Sequence, residues 1–136
     1  MDKKWIYYGV FFSDKSKNAI LNYAKEKLNE IGYNIPKDWK IYCDHMTIVF
    51  NDKTEKNQKI ANFLEPFIGN TCSLRVISIG VSERAIALGI DFSTQNEHSH
   101  VTVAIAPEAK PVESNDIVEW FDVNDSFYIT GVYKVK

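Results

Sequence analysis

A chain of 136 residues, 45% hydrophobic and 25% charged, has material for one globular core and not for two, so residues 1–136 are expected to form a single domain with a single site. Its net charge of −2, from 16 basic and 18 acidic side chains, excludes the broad cationic field that long nucleic acid requires; a small anionic ligand or an RNA end stays possible. There is no apolar stretch of about 20 residues and no signal-peptide core. Two cysteines, Cys43 and Cys72, make no disulfide framework, and the expectation is a soluble cytoplasmic monomer without membrane contact.

In chain order, the aromatic and β-branched run Trp5–Phe12 reads as a strand that ends at Ser13-Asp14, a good helix start. Ile20, Leu21, Ala24, Leu28 and Ile31 then recur at helical spacing, with Gly32 as the stop. After a loop at Asn34–Asp38, Trp39–Phe50 reads as extended structure broken near Asp44, and Asn51-Asp52 turns the chain. A second helix is predicted over Thr54–Phe67, with Ile60, Phe63, Leu64 and Phe67 on its apolar face.

Leu74–Val81 and Ala85–Phe92 form a predicted hairpin around Ser82-Glu83-Arg84. Ser93–Glu97 is a polar loop, His100–Ala106 a strand, Pro107–Asn115 a loop, Asp116–Phe121 a helical turn or two, and Phe127–Val135 a last strand. The layout is α+β with a mostly antiparallel sheet.

One pattern recurs. Asp44-His45-Met46-Thr47-Ile48-Val49-Phe50 and Ser99-His100-Val101-Thr102-Val103-Ala104-Ile105 each place a histidine and a threonine two residues apart on a strand. Such residues share a face, so His45 pairs with Thr47 and His100 with Thr102, while Met46, Ile48, Phe50, Val101, Val103 and Ile105 face the core. Two such strands facing each other offer one ligand two imidazoles and two hydroxyls. That set suits phosphodiester cleavage, with one histidine as base, the other as acid, and hydroxyls donating to the non-bridging oxygens. With three histidines in the chain, chance placement of two in one pattern is the weaker explanation.

These motifs resemble the paired H-x-[ST]-hydrophobic motifs of the 2H phosphoesterase superfamily. Tyr7-Tyr8-Gly9-Val10 and Lys110-Pro111-Val112-Glu113-Ser114-Asn115 look like the branch that holds tRNA-ligase-type cyclic phosphodiesterase domains and phage anti-CBASS nucleases. The resemblance implies a bilobal 2H phosphoesterase-like fold with pseudo-twofold symmetry, helices on the outside and an active-site cleft between the lobes. It implies no metal and no cofactor, His45 and His100 as acid and base, and Thr47 and Thr102 as phosphate-binding hydroxyls. Cyclic oligonucleotide second messengers are the first expected substrate, cleaved in host cytoplasm if the protein is viral; an RNA end bearing a 2′,3′-cyclic phosphate is the alternative. A non-catalytic nucleotide-binding module is the third reading.

Around this centre, Tyr7, Trp39 and Lys110 are candidate substrate contacts, Tyr7 because it shares a strand face with Gly9, where a ligand can approach closely. A zinc site is the rival chemistry: Cys43 and His45 would share one strand face, and His98 and His100 another. That reading leaves both threonines without a role, and Cys43 as a small buried hydrophobe is preferred.

Overall fold

Strand β1 (Tyr7–Phe11) leads through Ser13 into helix α1 (Asp14–Glu30). The Ser13 hydroxyl accepts from the Ser16 N–H at 3.3 Å, Asp14 sits in the first turn and Lys27 in the last, so cap and charges agree with the helix dipole. Ile20, Tyr23, Ala24 and Leu28 are buried along one stripe that packs against the sheet. These coordinates, a computed structural model, describe residues 4–94 and 98–136. Of the predicted loop Ser93–Glu97, residues 95–97 lie outside the described residues.

The extended run after α1 is indeed broken. Strand β2 (Lys40–Ile41) pairs with β6 (His100–Ile105), whereas β3 (His45–Phe50) pairs with β1. The N–H groups of Tyr42 and Cys43 donate to the carbonyls of Val103 and Thr102 at 2.8 and 2.9 Å, and the Asp44 carbonyl accepts from Phe12 N–H at 3.0 Å. The chain therefore changes strand partner across a single peptide, and Cys43, at φ 58°, makes the corner in the left-handed region that side chains other than glycine avoid. This corner takes Cys43 off the strand face it was expected to share with His45.

Helix α2 (Glu55–Leu64) is capped by Thr54, as its sequence suggests, and runs on as a 3₁₀ turn over Glu65–Phe67. Its buried face differs from expectation: Asn57, Ala61 and Leu64 are inside, while Phe63 is 70% exposed. The Asn57 amide donates to the Phe50 carbonyl at 3.0 Å, and that tie to the end of β3 sets the helix rotation.

Strands β4 (Thr71–Val81), β5 (Ala85–Ile90), β7 (Glu119–Asp122) and β8 (Tyr128–Val135) complete an antiparallel sheet ordered β2-β6-β5-β4-β8-β1-β3, with β7 on β4. Strand β4 spans both halves: Thr71–Arg75 pairs with β8, and Val76–Val81 pairs with β5. The halves β8-β1-β3 and β4-β5-β6 correspond strand for strand, which is the internal symmetry the repeated motif predicts. Of the predicted turn Asp116–Phe121 only Asp116 is helical, as the last residue of a 3₁₀ turn over Pro111–Asp116 that lies mostly inside the predicted loop, and Glu119–Asp122 pairs with β4 as β7.

The correspondence extends to an irregularity that the alternating pattern does not announce. In the β1/β3 register Gly9 faces Thr47 and Tyr8 faces Val49, leaving Ile48 unmatched; in β5/β6, Ala87 faces Thr102 and Ile86 faces Ala104, leaving Val103 unmatched. Each His-x-Thr strand thus carries a β-bulge immediately after its threonine. The bulge puts consecutive residues Ile48 and Val49 into the core and turns Phe50, expected inside, onto the His45 face, where it is 41% exposed.

Candidate active site

The two motif strands face one pocket of about 210 Å³. One wall carries Asp44, His45, Thr47 and Phe50; the other carries His100 and Thr102, with Tyr42 from the segment entering the corner and Pro111, Val112 and Asn115 from the 3₁₀ turn. The fold thereby gathers all four residues singled out by the repeated motif.

The imidazoles have different partners. His45 Nδ1 lies 2.8 Å from Asp44 Oδ1 and its Nε2 lies 3.1 Å from Thr47 Oγ1. A carboxylate only accepts, so Nδ1 carries the proton and Nε2 is left for the pocket. Its ring stacks on Phe11, centroids 5.2 Å apart, and lies tilted by 30° against Tyr7, also at 5.2 Å, which fixes the plane of the imidazole. His100 Nδ1 donates instead to the His98 carbonyl at 2.8 Å, which likewise leaves Nε2 as the acceptor. Burial holds His100 below the ordinary histidine value of 6.5; the bond to His98 opposes this, and the neighbouring histidines His45 and His98 reinforce it.

Thr102 Oγ1 shares a 3.0 Å hydrogen bond with Ser114 Oγ, which is 1% exposed. Ser114 is brought there by the 3₁₀ turn, and the turn is fastened by Glu113. That carboxylate accepts from Arg84 Nε at 2.6 Å and from the Lys110 N–H at 2.5 Å, and the ion pair lowers its pKa. Ser114→Ala should therefore reduce kcat/KM about threefold to tenfold, the size of one lost hydrogen bond, while thermal unfolding followed by circular dichroism changes little.

The expected outer contacts fare unevenly. Tyr7 backs the His45 ring rather than lining the pocket. Trp39 is half-buried against the main core, and Lys110 is exposed at the start of its turn; neither forms part of the pocket wall. Gly9 does not admit a ligand: a Cβ there would meet the Met46 carbonyl oxygen at 2.5 Å, so the glycine serves the close approach of β3. Asp44, which the sequence marks only as a break in the extended run, supplies a carboxylate to His45. Ser114 and Asn115 lie in the segment that carries the family resemblance but have no site role in the sequence reading, and Phe50 is assigned to the core, because a bulge and a distant ion pair bring them in.

The donor set does not favour zinc. Among the described residues no three His, Cys, Asp or Glu side chains converge to hold a metal ion. The Cys43 thiol is fully buried, is pushed up to about 12 by that burial, and donates to the Val103 carbonyl at 3.7 Å. Among the described residues, no helix is long and apolar enough to cross a membrane.

A family model described as the fungal tRNA ligase phosphodiesterase domain matches residues 24–136, a span that takes in both motif strands and the 3₁₀ turn. The chain belongs to this family. It is a phosphodiesterase domain of the 2H type, and the bilobal antiparallel fold agrees. Among solved structures, the crystal structure of a fungal RNA kinase matches with a TM-score of 0.63 at 12% identity, over 98% of this chain and 46% of that one. At that identity the likeness concerns the fold alone, and this phosphodiesterase domain spans less than half the length of that protein. No curated protein matches the chain.

Proposed function

We propose that this domain hydrolyses a 2′,3′-cyclic phosphate at the end of an RNA or short oligonucleotide, with His100 as general base, His45 as general acid, and Thr47 and Thr102 as hydroxyl donors to the phosphate. The observation that carries the proposal is the unequal partnering of two imidazoles across one pocket, and membership of the tRNA ligase phosphodiesterase domain family supports the substrate class. His100, held neutral, takes a proton from water at Nε2 as the water oxygen bonds to phosphorus. The bond from phosphorus to one ribose oxygen breaks, and that oxygen takes the Nε2 proton of His45. Asp44 supplies the negative charge beside the imidazolium from which a general acid starts. Charge accumulating on the non-bridging oxygens meets the two threonine hydroxyls, Thr102 held by Ser114.

The cyclic-oligonucleotide reading keeps one specific support: among the described residues the pocket lining contains neither lysine nor arginine, which suits a small nucleotide better than a polyanion. The same residues would then deprotonate a ribose 2′-hydroxyl instead of water. Chromatography after incubation with EDTA separates the two. RNA ending in a 2′,3′-cyclic phosphate is expected to be opened to a monophosphate; turnover of cyclic dinucleotides or trinucleotides alone would replace the first reading by the second. Loss of all activity on chelation would overturn both.

A further inference from the structure

Beside the catalytic pocket lies a second cavity, of about 470 Å³, walled by His98, Ser114, Asn115, Asp116, Ile117 and Trp120 among others. It is joined to the first at three points. Asn115 lines both cavities. Ser114 lines the second and shares a hydrogen bond with Thr102 of the first. His98 lines the second, and its carbonyl orients His100. A ligand with one part at the phosphate position and another in this cavity would span a continuous surface.

The cavity is furnished for an aromatic group. The Trp120 ring lies on bare backbone: a Cβ at Gly80 would come within 2.7 Å of its Cε3 and Cζ3, and one at Gly89 within 3.4 Å of its Cζ3. Its Nε1 donates to the Ile117 carbonyl at 3.1 Å, so the ring is held in position before any ligand arrives. His98 stacks with it at 5.2 Å between centroids and 25° between planes. Asp116, exposed on the same wall, offers a carboxylate, which repels phosphate and accepts from N–H groups.

We propose that this cavity is a nucleobase subsite. The base belongs to the nucleotide whose phosphate lies between His45 and His100, and it packs against the side of the Trp120–His98 stack that faces the cavity, with its N–H edge toward Asp116. The assignment rests on the proposed function for the position of the phosphate. It goes beyond that function in giving the substrate a base contact on the His100 side. The cavity is large enough for a base and part of its ribose, within the usual range of ligand pockets.

Calorimetric titration of the full chain with guanosine 2′-monophosphate and, separately, inorganic phosphate tests it. Trp120→Leu is expected to weaken nucleotide binding about tenfold, as for loss of one base–aromatic contact, and to leave phosphate binding unchanged. Trp120→Phe should recover most of the affinity. His98→Ala keeps the backbone carbonyl and should weaken the nucleotide less than Trp120→Leu, which provides a second measurement should the leucine variant fold poorly. Equal nucleotide affinity in wild type and both Trp120→Leu and His98→Ala would overturn the subsite, as would parallel weakening of nucleotide and phosphate. Trp120-dependent nucleotide binding in a protein that opens no cyclic phosphate would leave the subsite standing and remove the hydrolytic reading.

Discussion

His100→Ala is expected to lower turnover of a 2′,3′-cyclic phosphate end by about 100-fold or more, and His45→Ala by a comparable factor, each because one proton transfer loses its positioned group. The double variant should be little worse than the poorer single one, since acid and base act in the same transition state and their losses do not multiply. A protein that only sequesters nucleotides would keep its affinity, and any biological effect, in all three. The pH profile separates the two histidines further. Burial depresses His100 below 6.5, so a base at this position stays competent below 6.5, and kcat/KM should fall on the acid side only as pH drops through that depressed value. An acid limb centred above 6.5 would remove His100 from the role of base. The same shift has a sign for stability. A histidine whose folded pKa is depressed contributes stability that is complete above its unfolded value and lost as pH falls from there through the folded value. On acidification below 6.5, wild-type Tm should therefore fall faster than that of His100→Ala.

What sequence discloses about this fold follows from the range of the interactions involved. Ser13 and Thr54 cap their helices through bonds to residues three positions away, and such local chemistry is visible in the residue string. The stripe of Ile20, Ala24 and Leu28 is visible for the same reason. The break at Asp44 is visible as a polar interruption, but not its geometry, since the left-handed Cys43 is imposed by hydrogen bonds to β6 on one side and to Phe12 on the other. The bulges at Ile48 and Val103 are silent because the extra residue is as apolar as its neighbours. One consequence is that Phe50, assigned to the core by strict alternation, reaches the pocket. All but the last residue of the 3₁₀ turn over Pro111–Asp116 reads as loop in the sequence because what holds the turn, the pair of Arg84 with Glu113, spans 29 residues. Its side chains Ser114 and Asn115 were therefore missing from a candidate site whose histidines and threonines announce themselves by repetition.

Gly9→Ala is expected to destabilise the protein by about 2–3 kcal/mol, typical of overpacking against atoms that cannot move, or roughly 10 °C in Tm for a domain of this size. The added Cβ would sit 2.5 Å from the Met46 carbonyl oxygen and 3.4 Å from Thr47 Cα, backbone in both cases. Strand β1 has no free side toward which to retreat, since β8 pairs along its other edge through Gly9 to Lys134 and Val10 to Tyr133. Relief must come from β3, and β3 carries His45 and Thr47. Activity at a temperature where the variant is still folded should thus fall as well, through kcat more than KM, because the catalytic groups are displaced rather than the ligand excluded. Gly32→Ala provides the contrast. Gly32 has φ 76° and open space where a Cβ would stand, so alanine there costs about 1 kcal/mol of left-handed backbone strain and leaves kcat unchanged. The opposite result at Gly9, a raised KM with Tm preserved, would return the glycine to the ligand-facing role that its strand position alone suggested, and would mean that the bulge at Ile48 can open without loss of the fold.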